Sequence, residues 1–181
     1  MKAEEDERFR EFARARTLAL RRTAYLLCHD WHLAEDLVQT ALLKLYRVWR
    51  RLHGSEVIDN YARRVLLRCW LDEQRRPWRR RERRDGVVPD LGDGRLDPAD
   101  RPAPGWLSDL LVRALQELPA RQRAAVVLRH CADLSIADTA AALHCSEGTV
   151  KSQCARGLAT LRGVVTRWEA EECHGVVGRN A

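Results

Sequence analysis

The sequence predicts an all-α protein: two small helical domains joined by a flexible linker, the second containing a helix-turn-helix. Three observations predict it. Apolar residues recur every three or four positions on both sides of the middle of the chain, with no strand-like alternation of useful length anywhere. Between the two helical stretches lies a Gly/Pro-rich segment with no sustained apolar period. Near the C-terminal end, two helical patterns, each preceded by a serine able to cap it, flank a His-Cys turn.

Residues 7–84 form the first predicted domain. Phe9, Phe12, Ala13 and Arg16 lead into Leu18, Tyr25 and Leu26 of a first helix, and His29-Asp30-Trp31 reads as a turn. From His32 to Leu52, Leu33, Leu37, Ala41, Leu45 and Val48 fall at spacings of three and four, the mark of an amphipathic helix. His53-Gly54-Ser55 breaks it. A third helix starts close to Ser55 or Asp59, each able to cap an amino end. It runs through Tyr61, Val65, Leu66, Cys69 and Trp70 until Pro77 stops or kinks it. Arg75, Arg76, Arg79, Arg80, Arg81, Arg83 and Arg84 then crowd together. Residues 85–105, with Gly86, Pro89, Gly92, Gly94, Pro98, Pro102, Pro104 and several aspartates, read as a flexible acidic linker. That linker either folds back to screen the arginines or plays no such part.

Residues 106–168 form the second predicted domain. Leu107, Leu110, Leu111, Ala114, Leu115 and Leu118 outline its first helix, and Pro119 is placed to open the next, continued by Ala125, Val126, Leu128, Arg129 and Cys131. Ser135 caps a short helix ending at Leu143, with Asp138 completing a capping-box-like pattern. Alanines at 137, 140, 141 and 142 keep that helix slim, so another can cross it closely. His144 and Cys145 turn the chain, and Ser146 caps a helix starting at Glu147 whose inner face is Val150, Cys154, Leu158 and Leu161. Its outer face (Glu147, Gly148, Lys151, Ser152, Ala155) is small, polar and basic, as a recognition helix entering the major groove requires. Lys151 and Ser152 suit base edges, whereas Thr149, Gln153 and Arg156 suit the phosphate backbone. A plain helical hairpin in an interaction domain is the alternative. Residues 169–181 read as a weakly ordered tail.

The 181 residues carry a formal net charge of +6, from 32 Lys+Arg against 26 Asp+Glu. The cations are nearly all arginine, which suits planar recognition of phosphate or guanine. No stretch reaches the length of a membrane span, and the acidic amino terminus lacks the apolar run of a secretion signal. A cytoplasmic protein without cofactor or metal is expected. Its cysteines, 28, 69, 131, 145, 154 and 173, form no CxxC pair and read as small buried hydrophobes. The other reading is a thiol or metal sensor using His144 with Cys145 or Cys173 with His174, but neither pair has a familiar zinc spacing.

At Ala34-Glu35-Asp36-Leu37-Val38-Gln39-Thr40-Ala41-Leu42-Leu43-Lys44-Leu45-Tyr46 the chain resembles the core-binding helix of the bacterial group IV, or extracytoplasmic-function, sigma factors, especially the actinobacterial sigma-E-like subgroup. A second match runs from Leu118-Pro119-Ala120-Arg121-Gln122-Arg123 through Gly148-Thr149-Val150-Lys151-Ser152. The resemblance implies a transcription initiation factor that binds core RNA polymerase at its beta-prime clamp and beta flap, reads promoter DNA, and is held by an anti-sigma partner. It assigns Glu35, Asp36, Gln39 and Leu43 to polymerase docking. Tyr61, Arg63, Arg64, Arg68, Trp70, Asp72, Arg75, Arg76, Arg79 and Arg80 fall to opening and reading the −10 element, with Trp70 also readable as core. For the −35 element it assigns Arg121, Arg123, Glu147, Thr149, Lys151, Ser152, Gln153 and Arg156. The chain departs from the family where Arg68 replaces a common asparagine, Glu73 a frequent aromatic and Gln153 a common basic residue.

Two rivals remain at this point: a helix-turn-helix regulator acting on an operator without polymerase, and a helical adaptor that binds no DNA. An enzyme is not expected, because no cluster combines nucleophile, base and metal ligands.

Overall fold

The computed structural model of the chain describes residues 2–52, 55–75 and 109–177. They fall into two units, divided between Pro102 and Ala103. Every regular element among the described residues is helical.

The first unit holds α1 (Lys2–Cys28), α2 (Trp31–Val48), one 3-10 turn (Trp49–Arg51) and α3 (Ser55–Arg75). α1 starts earlier than the apolar pattern suggests. Glu4 and Glu5 sit in its first turn, where a helix favours negative charge, and Glu5–Arg8 and Glu7–Arg10 pair at 3.1 and 2.9 Å along its surface. The chain then reverses within two residues. His29 takes a left-handed φ of 59°, and the Asp30 carboxylate accepts the Leu33 N–H at 3.0 Å, capping α2. α2 ends sooner than the sequence suggests, at Val48, where the backbone tightens into the 3-10 turn. α3 begins at Ser55, so Asp59, the other candidate cap, lies within the helix. Pro77 lies outside the described residues.

These helices pack pairwise on one another. Their shared core is Leu20, Leu26, Leu27, Leu37, Leu45, Leu66, Leu67 and Trp70, all buried. Each such side chain contributes roughly 1.5–3 kcal/mol on burial.

The second unit holds α4 (Asp109–Gln116), α5 (Ala120–Val126), a π-helical turn (Val127–Cys131), α6 (Ile136–Leu143) and α7 (Glu147–Val177). Pro119 stands just before α5, at its cap, and Ala132 N–H reaches back five residues to the Val127 carbonyl at 3.0 Å. α7 packs on α4, α5 and α6, making it the spine of the unit. It also runs on to Val177, beyond the point where the sequence reads as a weakly ordered tail. Before that point Leu161 and Val164 extend the buried stripe, and the Arg113 guanidinium of α4 sits 5.0 Å from the centroid of the Trp168 ring.

Cys69 is buried and Cys28, Cys145 and Cys154 are half-buried, but Cys131 is exposed, so it is no core hydrophobe. Partial burial of the Cys131 thiol and the nearby Asp133 charge raise its pKa above the ordinary value. Among the described residues no group of three or more His, Cys, Asp or Glu is placed to hold a metal ion. No described helix is long and apolar enough to cross a membrane.

Candidate polymerase and promoter interfaces

α2 divides its residues by face. Leu33, Ala34, Leu37, Val38, Ala41 and Leu45 point inward, which leaves Asp36, Gln39 and Leu43 as an exposed stripe at i, i+3 and i+7. Leu43 is 66% exposed. A single exposed leucine is ordinary on a protein surface, but this one lies one turn from the exposed Tyr46 on the same helix. Glu35 is different: it is half-buried, its carboxylate 3.8 Å from the Arg21 guanidinium of α1, and so partly neutralised within the unit.

One turn beyond Leu43, the Tyr46 hydroxyl donates to the Asp6 carboxylate at 2.8 Å. That bond and the nearby negative charge raise the pKa of Tyr46 above its ordinary value. Asp6, Phe9 and Arg10 of α1 and Leu42, Leu43 and Tyr46 of α2 line an open groove of about 290 Å³. Sequence reasoning reached Leu43 but missed the groove, because only the α1–α2 contact creates it.

On α3, Arg68 and Arg75 are exposed, and Tyr61, Arg63 and Arg64 are half-buried. Tyr61, Arg64, Arg68 and Arg75 share one face at helical spacing. Trp70 is fully buried, with 0% exposure, so it belongs to the core and offers no ring for stacking a base. Arg75 lies 3.8 Å from Asp72, both exposed, a pair too weak to remove its charge from the surface. Arg76, Arg79 and Arg80 lie outside the described residues. The 3-10 turn adds two exposed cations, Arg50 and Arg51, that periodicity had absorbed into a longer helix.

In the second unit α6, the turn and α7 form the helix-turn-helix. Ser135 Oγ accepts the Asp138 N–H at 2.9 Å and donates to the Asp138 carboxylate at 2.6 Å, so the capping box closes side chain to side chain. His144 ends α6 in the left-handed region, φ 51° and ψ 53°. Ser146 Oγ then accepts the Thr149 N–H at 3.1 Å and sits 2.9 Å from the Thr149 hydroxyl. That hydroxyl is therefore engaged in the cap.

Gly148, Lys151, Ser152, Ala155 and Arg156 are exposed on the outer side of α7, together with Glu147 at its start, while Gln153 is half-buried. Val150 and Leu161 seat the opposite side in the core. Of the two arginines expected near phosphate, Arg121 is exposed. Arg123 is not: at 7% exposure its guanidinium donates to Gln116 Oε1 at 2.7 Å, the Gln116 carbonyl at 3.0 Å and the Leu118 carbonyl at 3.1 Å. It closes the α4–α5 connection, and its hydrogen bonds point inward.

Two family models match the chain: Sigma-70 region 2 over residues 12–80 and Sigma-70 region 4 over residues 108–161. The RNA polymerase sigma-E factor of Streptomyces coelicolor is 38% identical over 154 residues, covering 85% of this chain and 84% of that protein. The ECF RNA polymerase sigma factor SigM of Mycobacterium tuberculosis is 34% identical over 142 residues, 78% of this chain and 69% of its own length. Among solved structures, the sigma factor RpoE of Bartonella quintana, crystallised with the anti-sigma factor NepR, aligns with a TM-score of 0.64 at 27% identity. That alignment covers 86% of this chain and 97% of the other. With both regions present in the family's order and extended identity to its members, the chain belongs to the extracytoplasmic-function sigma factors of bacterial RNA polymerase.

Proposed function

We propose that this sigma factor docks core RNA polymerase through Asp36, Gln39 and Leu43, with Glu35 beside them, and reads the −35 element with the amino end of α7. The observation that carries the reading is the pairing of two outward faces on well-packed units. One is an acidic and apolar stripe on α2; the other is a capped recognition helix with Lys151, Ser152 and Arg156 free of the core. Asp36 and Gln39 offer acceptors to basic residues of the polymerase clamp. Lys151 and Ser152 reach base edges, and Arg156 and Arg121 the phosphates. The α2–α3 region opens and reads the −10 element through Tyr61, Arg63, Arg64, Arg68 and Arg75, with Arg76, Arg79 and Arg80 following them in sequence.

The chain performs no covalent step; binding energy at the two surfaces stabilises the opened strand while polymerase makes RNA. An anti-sigma partner covering these surfaces fits the B. quintana sigma factor, which was crystallised with NepR. Run-off transcription from candidate promoters, with purified chain added to core polymerase, tests the reading. Specific transcripts and stable core binding are expected. Absence of both would sink it, and a footprint on a symmetric site without polymerase would favour a conventional regulator.

A further inference from the structure

The α2–α3 connection is held from both sides by a single stripe of α1. Phe9, Phe12 and Arg16 stand at i, i+3 and i+7, on one face of that helix. Before the connection, Phe9 and Phe12 meet the ring of Trp49 at centroid distances of 5.1 and 5.3 Å, and Trp49 is only 6% exposed. After it, the Arg16 guanidinium pairs at 2.8 Å with the carboxylate of Asp59, whose side chain is 17% exposed. The Trp49–Arg51 turn presents the cations Arg50 and Arg51, and the first turns of α3 lead to Tyr61 and Arg64. α1 thereby braces the turn that carries Arg50 and Arg51 and the first turns of α3 against one and the same helix face.

We propose that Phe9, Phe12 and Arg16 are positioning residues for promoter opening, acting through Trp49 and Asp59 without touching DNA. The proposal rests on the promoter-opening role given above to the α2–α3 region. Capture of an unstacked base needs its cationic and aromatic groups already in place, since reordering them at the moment of melting subtracts from binding. The Arg16–Asp59 pair is the more tractable half to test, because the aromatic contacts also contribute core.

The experiment uses the full chain with core polymerase on a promoter that the native chain transcribes, either as duplex or pre-opened by a mismatched bubble. Arg16→Asp should slow open-complex formation on the duplex about fivefold, the scale of losing one partly shielded ion pair. On the bubble template and in core affinity it should match the native chain. Combining it with Asp59→Arg should restore duplex opening. Equal rates for Arg16→Asp and the native chain on duplex would overturn the proposal. So would equal losses on both templates together with core binding, which mark a fold-wide defect, or a swap as slow as the single variant. Failure to find any promoter that the native chain transcribes with core polymerase would instead remove the initiation reading itself.

Discussion

Arg123 shows how residue type can mislead when burial is unknown. An arginine beside a recognition module reads as a phosphate contact, yet Arg123 turns inward to satisfy two carbonyls at the α4–α5 connection. The last carbonyls of a helix lack intrahelical donors, and a five-donor guanidinium supplies them. Arg123→Ala should therefore cost about 2 kcal/mol of stability, because it leaves those acceptors unpaired in a buried place. The salt dependence of DNA binding should keep its native slope, whereas Arg156→Ala should reduce that slope by about one. Urea unfolding and a salt titration of binding measure the two effects; a slope change for Arg123→Ala would return it to the DNA face. Trp70 on α3 was open in sequence to a core or a base-stacking reading, and packing places it in the core at 0% exposure.

Helices were the most legible level of the chain. The two serine caps, the short α6 and the turn between α6 and α7 stand where the sequence puts them, because cap and turn chemistry is local. The start of α2 was read a residue late although Asp30, three before Leu33, carried the signal. The π-helical turn had no comparable signal, since it depends on what the helices touch. Gly157 went unnoticed for that reason. A Cβ built there would lie 2.7 Å from Val126 Cγ2 and 3.5 Å from Leu118 Cδ2, so the glycine is what lets α7 approach α5. Alanine at this site would gain up to about 1 kcal/mol in helix propensity. Overpacking against a buried, χ1-restricted valine should outweigh that gain, for a net loss of about 1–2 kcal/mol. Thermal unfolding of Gly157→Ala checks the sign; an unchanged or higher midpoint would mean that the interface yields.

At the scale of the whole molecule, the roles proposed for the two units are separate, so the units should fail separately. Asp36→Ala should weaken core-polymerase binding about tenfold, the loss of one charge-assisted contact, with the DNA affinity of the chain unchanged. Lys151→Ala should do the reverse, weakening −35 binding by about 1–3 kcal/mol while core affinity stays native. Equal losses in both assays for either substitution would point to misfolding. The sequence by itself determined the helical class, the two-part organisation, the helix-turn-helix with its caps, and the acidic α2 stripe, because periodicity, capping and charge are written locally. Only the tertiary structure decided which arginines face outward, that Trp70 is core, that Gly157 is a contact point, and that α1 grips both flanks of the α2–α3 connection. Each of these depends on contacts between residues distant in the chain, and packing geometry alone fixes which side chains remain free to meet a partner.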